Sequence, residues 1–376
     1  MKSVTEESSQ SRDEVVLVTG FPSFTAIRLI RKIVASDPRA RLVVLARERR
    51  RQAAQALVTG LPGADRQRIR VVLGDVFAMD LGLSGPEVRE LTGELTTVHH
   101  LAGVYRPNLS RELAERVHVE GTRGVLELAG ECRRLRRLCL YSTAFVSGKR
   151  KGVVLEDELD EGQTFRDVWE ETKFAAEKLA GAAARRLPIT TFRPGLIVGD
   201  SRSGAIGKLD GPHRLIELLV SDPGALGPVG RSPAPLHVVP IDFVIDAAYA
   251  LSLDEKAAGG TFHLTDPSPL PARHIVELIA ERTQARKPRD TLPAGLARAV
   301  LRSSGLERLT RASRAFLESL DQLTFYDCRG TLARLDGTSI ACPTFDSYVD
   351  ALVGFERETH EARRLKAEDD EDDPFD

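Results

Sequence analysis

The sequence predicts an α/β protein built on a doubly wound parallel sheet, with a smaller, mainly helical C-terminal lobe. Short apolar runs alternate with helical stretches as far as Arg193. Strands that alternate with helices at this spacing are joined by right-handed crossovers, which makes the strands parallel. The length of 376 residues exceeds what one hydrophobic core usually organises, so a second lobe is expected.

Each element of the sheet follows from a local pattern. Residues 15–18 form a β-branched run that is typical of a strand buried on both faces, and Thr19-Gly20 ends it. The next stretch, about 23–35, carries isoleucines on one side of a predicted helix. The same alternation predicts strands at 42–45, 69–73, 97–101, 138–142 and 189–193, and helices at 49–58, 87–92, 110–132 and 165–186.

The alternation stops after the sixth strand. Residues 199–235 are rich in Gly, Pro and Ser, and the pattern from 271 to 360 is mainly helical. Two more short strands are predicted at 237–240 and 261–264. We therefore expect a sheet domain over 14–198 with returns to the sheet at about 236–265, a second lobe made of 199–235 and 266–360, a disordered N-terminus at 1–13, and an acidic disordered tail at 361–376.

Composition excludes several classes of protein. The chain is 42% hydrophobic and 29% charged, so it is neither collagenous nor largely disordered. Basic and acidic residues nearly balance at 53 and 55. Arginine clusters such as 47–51 and 133–137 lack the aromatic residues or motifs of a nucleic-acid reader, so no nucleic-acid partner is expected. The sequence carries no signal of an oligomeric state.

Cysteines and apolar runs indicate the cellular setting. The four cysteines form no C-x-x-C pair and no His/Cys metal spacing, so we expect no metal site and a reducing cytoplasm. Residues 1–14 are polar and unlike a signal peptide. No apolar run approaches the ~18 residues that span a bilayer. The sequence predicts a soluble, cytoplasmic protein.

The first strand–helix turn is the expected place for a phosphate. Amide groups at a helix N-terminus face the phosphate there, and glycines allow the tight turn and the approach of the backbone. Against the pattern T-G-x-x-G-x-x-G, residues 19–26 keep only the first glycine, Gly20. Ala26 still permits close packing. Ser23 puts a Cβ where a phosphate oxygen would approach, although its hydroxyl can donate a hydrogen bond instead.

Two side chains after the second and third strands bear on the type of nucleotide. Asp75 follows the third strand, where it is placed to contact an adenine, and Arg47 follows the second strand. An acid after the second strand binds a ribose 2′-hydroxyl, whereas an arginine accommodates a 2′-phosphate, so NADP is favoured over NAD. The alternative is that Arg47 only begins a solvated arginine run.

Eight further segments occur in a specific order. They are HHLAGVY at 99–105, VEGT at 119–122, YSTAFVSG at 141–148, ETKFAAE at 171–177, FRPG at 192–195, IVGDS at 197–201, VPIDFV at 239–244 and FHL at 262–264. With this spacing the chain resembles the extended short-chain dehydrogenase/reductases, which are Rossmann-like, and within them the fatty acyl and thioester reductase, or male-sterility-like, branch. The resemblance covers 14–265 well and the rest more loosely. Residues 201–211 match the substrate-lobe loop of that branch, which favours an acyl thioester, aldehyde or other acyl ligand over a sugar nucleotide.

The resemblance implies a catalytic set of Ser or Thr, Tyr, and a Lys four residues after the Tyr. In that family the tyrosine hydroxyl protonates the carbonyl oxygen while hydride arrives from the nicotinamide, and the lysine lowers the tyrosine pKa and holds the nicotinamide ribose. Thr143 matches the Ser/Thr and Lys173 matches the Lys. An i, i+4 pair lies on one helix face, one turn apart. The Tyr position holds Trp169.

The resemblance also implies which residues contact the cofactor, NADP. Carried over residue by residue, they are Gly20, Ser23, Phe24, Thr25, Arg47, Asp75, Val76, Leu101, Ala102, Gly103, Lys173, Pro194, Gly195 and Ile197.

Three departures coincide at the chemical positions. An indole N–H donates but does not ionise near neutral pH, so Trp169 cannot supply the proton. The loss of a general acid typically costs ~10²–10⁴ in rate. Ser23 replaces a loop glycine, and His118 stands where the family usually has Asn. Together these departures indicate that selection for reduction was relaxed.

Three hypotheses remain open at this point. The first is a degenerate family member, a pseudoenzyme that keeps the fold and a binding or regulatory role. The second is an active NADP-dependent oxidoreductase that takes its proton from Tyr105 or, as a weaker candidate, from His118. The third is a structural protein with an empty pocket. The alternative interpretations are that Tyr105 is a pocket-wall residue and that His118 is a packed or capping histidine.

Overall fold

The computed structural model describes residues 14–105, 109–207, 216–217, 234–284 and 322–371. In chain order its strands are β1 Val15–Val18, β2 Arg41–Ala46, β3 Ile69–Leu73, β4 Thr97–His100, β5 Arg137–Tyr141, β6 Gly152–Val154, β7 Ile189–Pro194, β8 Leu196–Val198, β9 Val238–Pro240, β10 Thr261–Leu264 and β11 Thr324–Tyr326. Seven of them form one parallel sheet in the order β10-β7-β5-β4-β1-β2-β3. The predicted fold class is confirmed.

Helices cover both faces of this sheet. They are α1 Phe24–Ser36, α2 Arg51–Thr59, α3 Gly63–Arg66, α4 Gly85–Glu94, α5 Arg111–Ala114, α6 Gly121–Glu131, α7 Val168–Ala183, α8 Ile241–Leu253, α9 Ala272–Thr283, α10 Arg329–Leu335 and α11 Phe345–Glu371. A π-helical turn, Glu115–Glu120, joins α5 to α6, so the single helix expected at 110–132 is continuous but irregular.

Alternate residues of each central strand enter different cores. In β1, Val16 and Val18 pack on the side of α1 and α8, whereas Val15 and Leu17 pack on the side of α4, α6 and α7. Both faces are therefore apolar, which is why the strand reads as an unbroken aliphatic run in the sequence. The predicted strands of the sheet agree with the observed ones within one residue at each end.

Three short strands escape the sequence pattern. β6 pairs with β11 and β8 pairs with β9, each pair forming a separate two-stranded sheet. The expectation that both 237–240 and 261–264 return to the main sheet is wrong for the first of them, because β9 pairs with β8 and only β10 joins the edge at β7. β11 also lies in a stretch that the sequence predicts to be helical.

The C-terminal part of the lobe is fixed to the sheet domain by a carboxylate. Glu156 accepts hydrogen bonds from the backbone amides of His263, Gly330 and Thr331 and from the Thr331 hydroxyl, at 2.6–3.1 Å. The beginning of α10 is thereby tied to β10. A separate apolar cluster, which includes Val198, Ile275 and Tyr348, joins β8, α9 and α11.

The predicted tail differs from the structure. Helix α11 extends from Phe345 to Glu371, so the chain does not become irregular at 361 as expected. Its first turns bury Phe345, Val349 and Leu352, and the residues that follow are mostly good helix formers, which lets the anchored helix propagate. Residues 1–13 and 372–376 lie outside the described residues.

Candidate functional site

The site lies at the carboxyl edge of the sheet, where β1 and β4 are neighbours. The strand order reverses there, and such switch points form the ligand crevice of open α/β sheets. Gly20 ends β1 with φ +89°, a conformation that favours glycine. A Cβ on Gly20 would lie 2.7 Å from the backbone carbon of Leu101, so glycine is also required for the close approach to the end of β4.

Ser23 occupies the second glycine position without strain. Its φ of −61° and ψ of 149° are ordinary extended values. The Ser23 hydroxyl oxygen accepts a hydrogen bond from the amide of Ala26 at 3.2 Å, so Ser23 is the N-cap of α1. The first intrahelical bond runs from Ile27 N to Ser23 O. The amides of Phe24 and Thr25 thus remain among the groups that a helix N-terminus offers to an anion.

Thr19 and His100 hold the end of β4 in place. The amide of Ala102 donates to the Thr19 hydroxyl oxygen at 3.2 Å, which leaves the Thr19 hydroxyl hydrogen for His100 Nδ1 at 2.9 Å. His100 Nε2 then donates to Thr122 Oγ1 at 3.1 Å. Burial, followed by the charge of Lys173, lowers the pKa of His100 to about 3, which keeps the ring neutral.

The residues after β2 and β3 contact each other. Arg47 Nε lies 3.0 Å from Asp75 Oδ2, and the Arg47 guanidinium carbon is 5.3 Å from the centroid of Phe77. The other Asp75 oxygen, Oδ1, is buried and has no hydrogen-bond partner within the described ranges. Val76 is buried against α6, since a Cβ on Gly121 would lie 2.8 Å from it. The loop therefore presents one unsatisfied acceptor.

Lys173 reaches across from α7 to the end of β5. Its Nζ donates to the carbonyl oxygen of Tyr141 at 2.7 Å. Burial lowers the pKa of Lys173 to about 8, and the carboxylate of Glu177, one turn further along α7, acts in the opposite direction. Glu177 in turn accepts from Ser142 Oγ and forms a buried ion pair with Arg193 at 2.5 Å. The lysine is thus held by one hydrogen bond and lies in the field of a buried carboxylate.

Trp169 lies one turn before Lys173, inside an aromatic cluster. Its ring centroid is 5.1 Å from that of Tyr105, with the planes at 71°, and 6.4 Å from that of Phe145. Tyr105, at the end of the loop after β4, is 36% exposed. The side chain that the resemblance assigns to the family's tyrosine position therefore packs against two other aromatic rings.

Thr143 follows β5, two residues from the carbonyl that binds Lys173. It is buried and its hydroxyl oxygen accepts from the amide of Phe145 at 3.2 Å. The hydroxyl hydrogen is left for another acceptor. Because Phe145 touches Trp169, the structure brings Thr143, Trp169 and Lys173 to one corner of the sheet edge.

His118 lies in the π-helical turn and is buried. Thr172 Oγ1 donates to the Val168 carbonyl at 2.7 Å, so it accepts from His118 Nδ1 at 2.8 Å. His118 Nε2 then accepts from the amide of Val104 at 3.0 Å. Burial, followed by the Lys173 charge, lowers the pKa of His118 to about 3. Both nitrogens are engaged, and the ring has no spare proton near neutral pH.

The remaining predicted positions extend along the edge. Gly103 is exposed beside His118, and a Cβ on Gly195 would lie 2.4 Å from the carbonyl oxygen of His237. Pro194 ends β7 and Ile197 lies in β8. Sequence reasoning missed the Tyr141 carbonyl, Phe145 and Phe77. Tyr141 and Phe145 had a signal, because both stand in the YSTAFVSG segment, whereas Phe77 had none.

The described part of the chain lacks a membrane-spanning helix and a metal-binding cluster. No helix there combines the length and the apolar character needed to cross a bilayer. Among the same residues, no group of three or more His, Cys, Asp or Glu is arranged to hold a metal ion.

A parallel sheet with this order, a positive-φ glycine at its switch point and a partly buried lysine reaching from α7 to β5 define an extended short-chain dehydrogenase/reductase. The chain belongs to the NAD-binding male sterility protein family, whose model matches residues 18–248.

Relatives and solved structures agree with this assignment. The chain is 24% identical over 282 residues to the fatty acyl-CoA reductase wat of Drosophila melanogaster, covering 65% of this chain and 54% of that protein. It is 27% identical over 361 residues to the isonitrile lipopeptide synthase of Streptomyces coeruleorubidus, covering 88% of this chain and 23% of that protein. The chain therefore spans about half of the first relative and less than a quarter of the second.

Among solved structures, the terminal R domain of the myxalamid PKS-NRPS pathway superposes with a TM-score of 0.78 at 27% identity, over 94% of this chain and 92% of that one. A thiolation-reductase di-domain from an archaeal non-ribosomal peptide synthetase gives a TM-score of 0.72 at 18% identity, over 93% of this chain and 76% of that one, and shows the shared fold.

Proposed function

We propose that the chain binds NADP(H) at the sheet edge and an acyl thioester, aldehyde or other acyl ligand beside it, and that its capacity for reduction is lost or impaired, leaving a binding or regulatory role. The observation that carries the proposal is the position of the Trp169 indole. It stands one turn before Lys173 and packs between Tyr105 and Phe145. An indole at this place has no proton to give near neutral pH.

Binding of the dinucleotide is supported by the chain's own residues. Gly20 keeps the positive φ and the close approach to β4 that the turn needs. The first-turn amides of α1 suit a pyrophosphate, and Ser23 fills the cap without occupying them. The orphaned Asp75 Oδ1 is a matching acceptor for an adenine amino group. Arg47, after β2, favours a 2′-phosphate and hence NADP.

The corner around Lys173 offers only part of the chemistry that reduction of a carbonyl needs. NADPH, when bound, supplies a hydride. Lys173 provides an ammonium that holds a ribose hydroxyl while it remains bonded to the Tyr141 carbonyl. The Thr143 hydroxyl hydrogen is available to a ligand carbonyl oxygen. A proton must still be delivered to that oxygen, and Trp169 does not deliver one. We therefore expect slow turnover or none.

A second candidate function is favoured by one contact. Tyr105 brings a phenol against the ring of Trp169, next to the place where the family's phenol would be. If Tyr105 is the proton donor, the chain is an active NADP-dependent reductase of an acyl thioester or aldehyde. Two relatives support an acyl thioester or an aldehyde as the ligand: a fatty acyl-CoA reductase and a lipopeptide synthase.

A fluorescence titration tests the proposal. Trp169 is the only tryptophan, so the whole tryptophan emission of the chain reports on this corner. Bound NADPH should quench that emission and gain fluorescence by energy transfer. A flat response at millimolar NADPH contradicts the proposal. NADPH consumption with a long-chain acyl-CoA or aldehyde is expected to be absent or ~10²–10⁴-fold below ordinary enzymes. An ordinary rate would favour the second candidate.

A further inference from the structure

We infer that Arg116 is a second cation of the 2′-phosphate site, so that Arg47, Phe77 and Arg116 together select NADP over NAD. This inference rests on the proposed function, because it concerns the nucleotide bound at that edge. It adds a residue from the π-helical turn that no segment of the sequence pointed to.

Two guanidinium groups converge on one ring. The Arg116 guanidinium carbon lies 4.5 Å from the centroid of Phe77, and that of Arg47 lies 5.3 Å from the same centroid. The two guanidinium carbons are therefore at most about 10 Å apart. The Arg116 side chain is exposed, so a change of its rotamer can bring its guanidinium toward a phosphate held by Arg47. Aromatic contact holds each planar cation while leaving its N–H groups at the ring's edge.

The Arg116 side chain does not form the ion pairs that its sequence neighbours predict. Glu112 and Glu120 stand four residues away in either direction, where an ion pair across one helical turn is expected. Within 4 Å, however, Arg116 meets no carboxylate among the described residues, and Glu120 pairs with Arg123 at 3.1 Å. The π-helical turn over Glu115–Glu120 widens the helix at this point, and the guanidinium lies over Phe77 instead.

The charges around Phe77 favour an anion. Asp75 meets Arg47 at Nε, through one carboxylate oxygen at 3.0 Å. The terminal nitrogens of a guanidinium are further hydrogen-bond donors. Arg116 adds a full positive charge at the same ring. Planar guanidinium groups bind phosphate with two parallel hydrogen bonds, and two of them around one group discriminate a phosphate from a hydroxyl. The ribose carrying the 2′ group is expected directly after β2, where Arg47 stands.

Calorimetric titrations with NADP⁺, NAD⁺, 2′,5′-ADP and 5′-ADP test the inference by binding alone. Wild type should prefer NADP⁺ over NAD⁺ and 2′,5′-ADP over 5′-ADP. Arg116→Gln should weaken NADP⁺ and 2′,5′-ADP by about tenfold, the value of one charge-assisted hydrogen bond, and leave NAD⁺ and 5′-ADP within twofold. The difference in NADP⁺ affinity between wild type and Arg116→Gln should shrink at high salt. Arg41→Gln is the matched control and should change nothing, because Arg41 is an exposed arginine at the start of β2, at the opposite edge of the sheet, where it pairs with Glu94 at 3.1 Å.

The outcomes separate this inference from the proposed function. Equal weakening of NADP⁺ and NAD⁺ by Arg116→Gln, or equal affinity of wild type for both, overturns the inference while dinucleotide binding stands. A loss of discrimination in Arg47→Gln but not in Arg116→Gln also overturns it. Failure of wild type to bind any of the four ligands overturns the inference and the proposed function together.

Discussion

The phenol ring of Tyr105 and the indole of Trp169 meet edge to face, with centroids 5.1 Å apart. Tyr105 comes from the loop after β4 and Trp169 from the first turn of α7, so two elements deliver aromatic rings to one place. Trp169 occupies the position of the family's proton donor, and Tyr105 is the nearest candidate to replace it. Substitutions at these two residues therefore separate an impaired reductase from an active one.

Trp169→Tyr should raise the rate of NADPH oxidation with a long-chain aldehyde or acyl-CoA. It returns a phenol to the residue one turn before Lys173, and a positioned general acid contributes about 10²–10⁴ in rate. Absorbance of NADPH measures the rate. Trp169→Phe is the control, because it makes the same space without a hydroxyl. Equal rates in the two variants would mean that the missing acid does not limit reduction.

Tyr105→Phe should leave NADPH affinity within twofold and any residual turnover unchanged. The substitution keeps the ring against Trp169 and removes only the hydroxyl. Tryptophan quenching gives the affinity, and NADPH absorbance gives the turnover. A fall in turnover by two orders of magnitude with unchanged affinity would identify Tyr105 as the proton donor and establish the second candidate function.

The sequence predicts the central sheet well because its signal is local. A strand such as β1 is buried on both faces, so every residue in it is apolar. The short strands β6 and β11 are different: they pair through three residues each, more than 160 positions apart, with Val153 and Phe325 exposed. No local pattern records such a pairing. They are held by contacts between residues far apart in sequence: the Gln322 amide and the Thr324 hydroxyl donate to the Arg150 carbonyl, and Glu156 accepts from the Gly330 amide.

At the site, the sequence predicts identities better than contacts. The i, i+4 spacing of Trp169 and Lys173 places both on one helix face, as observed. The role of Ser23 as a helix cap depends on its backbone angles, which a missing glycine in a motif does not reveal. The contact of Arg116 with Phe77 joins residues 39 positions apart through a π-helical turn, an irregularity without a compositional signal.

Ser23→Gly should strengthen NADPH binding, whereas Ser23→Ala should not. Glycine removes the Cβ beside the first-turn amides and costs only a few tenths of a kcal/mol as a cap; alanine keeps the Cβ and costs about 1 kcal/mol of stability. NADPH affinity is measured by Trp169 quenching, and stability by urea unfolding. Ser110→Ala removes the equivalent cap of α5, whose hydroxyl accepts from Leu113 N at 3.3 Å, and should leave the affinity unchanged. Equal affinities of wild type and Ser23→Gly would mean that the Ser23 side chain does not hinder the phosphate.

Lys173→Met should change the pH dependence of stability. Burial lowers the pKa of Lys173 from 10.5 to about 8 in the folded chain, with Glu177 acting in the opposite direction. Below pH 8 both states carry the ammonium, and wild type bears the full cost of burying it. Between pH 8 and 10.5 the folded state has released a proton that the unfolded state still binds, so the free energy of unfolding rises with pH. Across this pH range, the free energy of unfolding of wild type should therefore rise by up to roughly 3 kcal/mol relative to that of Lys173→Met.

Urea unfolding of both proteins from pH 7 to 10.5 measures this gain, because other groups titrate alike in both and cancel in the difference. The lost hydrogen bond to the Tyr141 carbonyl adds an offset, but the slope with pH comes from the proton on Lys173. Lys178→Met is the matched control: it removes an exposed lysine of the same helix, paired with Asp160 at 2.5 Å, and should shift stability by at most about 1 kcal/mol at every pH. A difference between wild type and Lys173→Met that stays flat, or falls as pH rises, would mean that the buried ammonium is not destabilised in the folded chain. The proton on Lys173 would then be bound at least as tightly in the folded chain as in the unfolded chain.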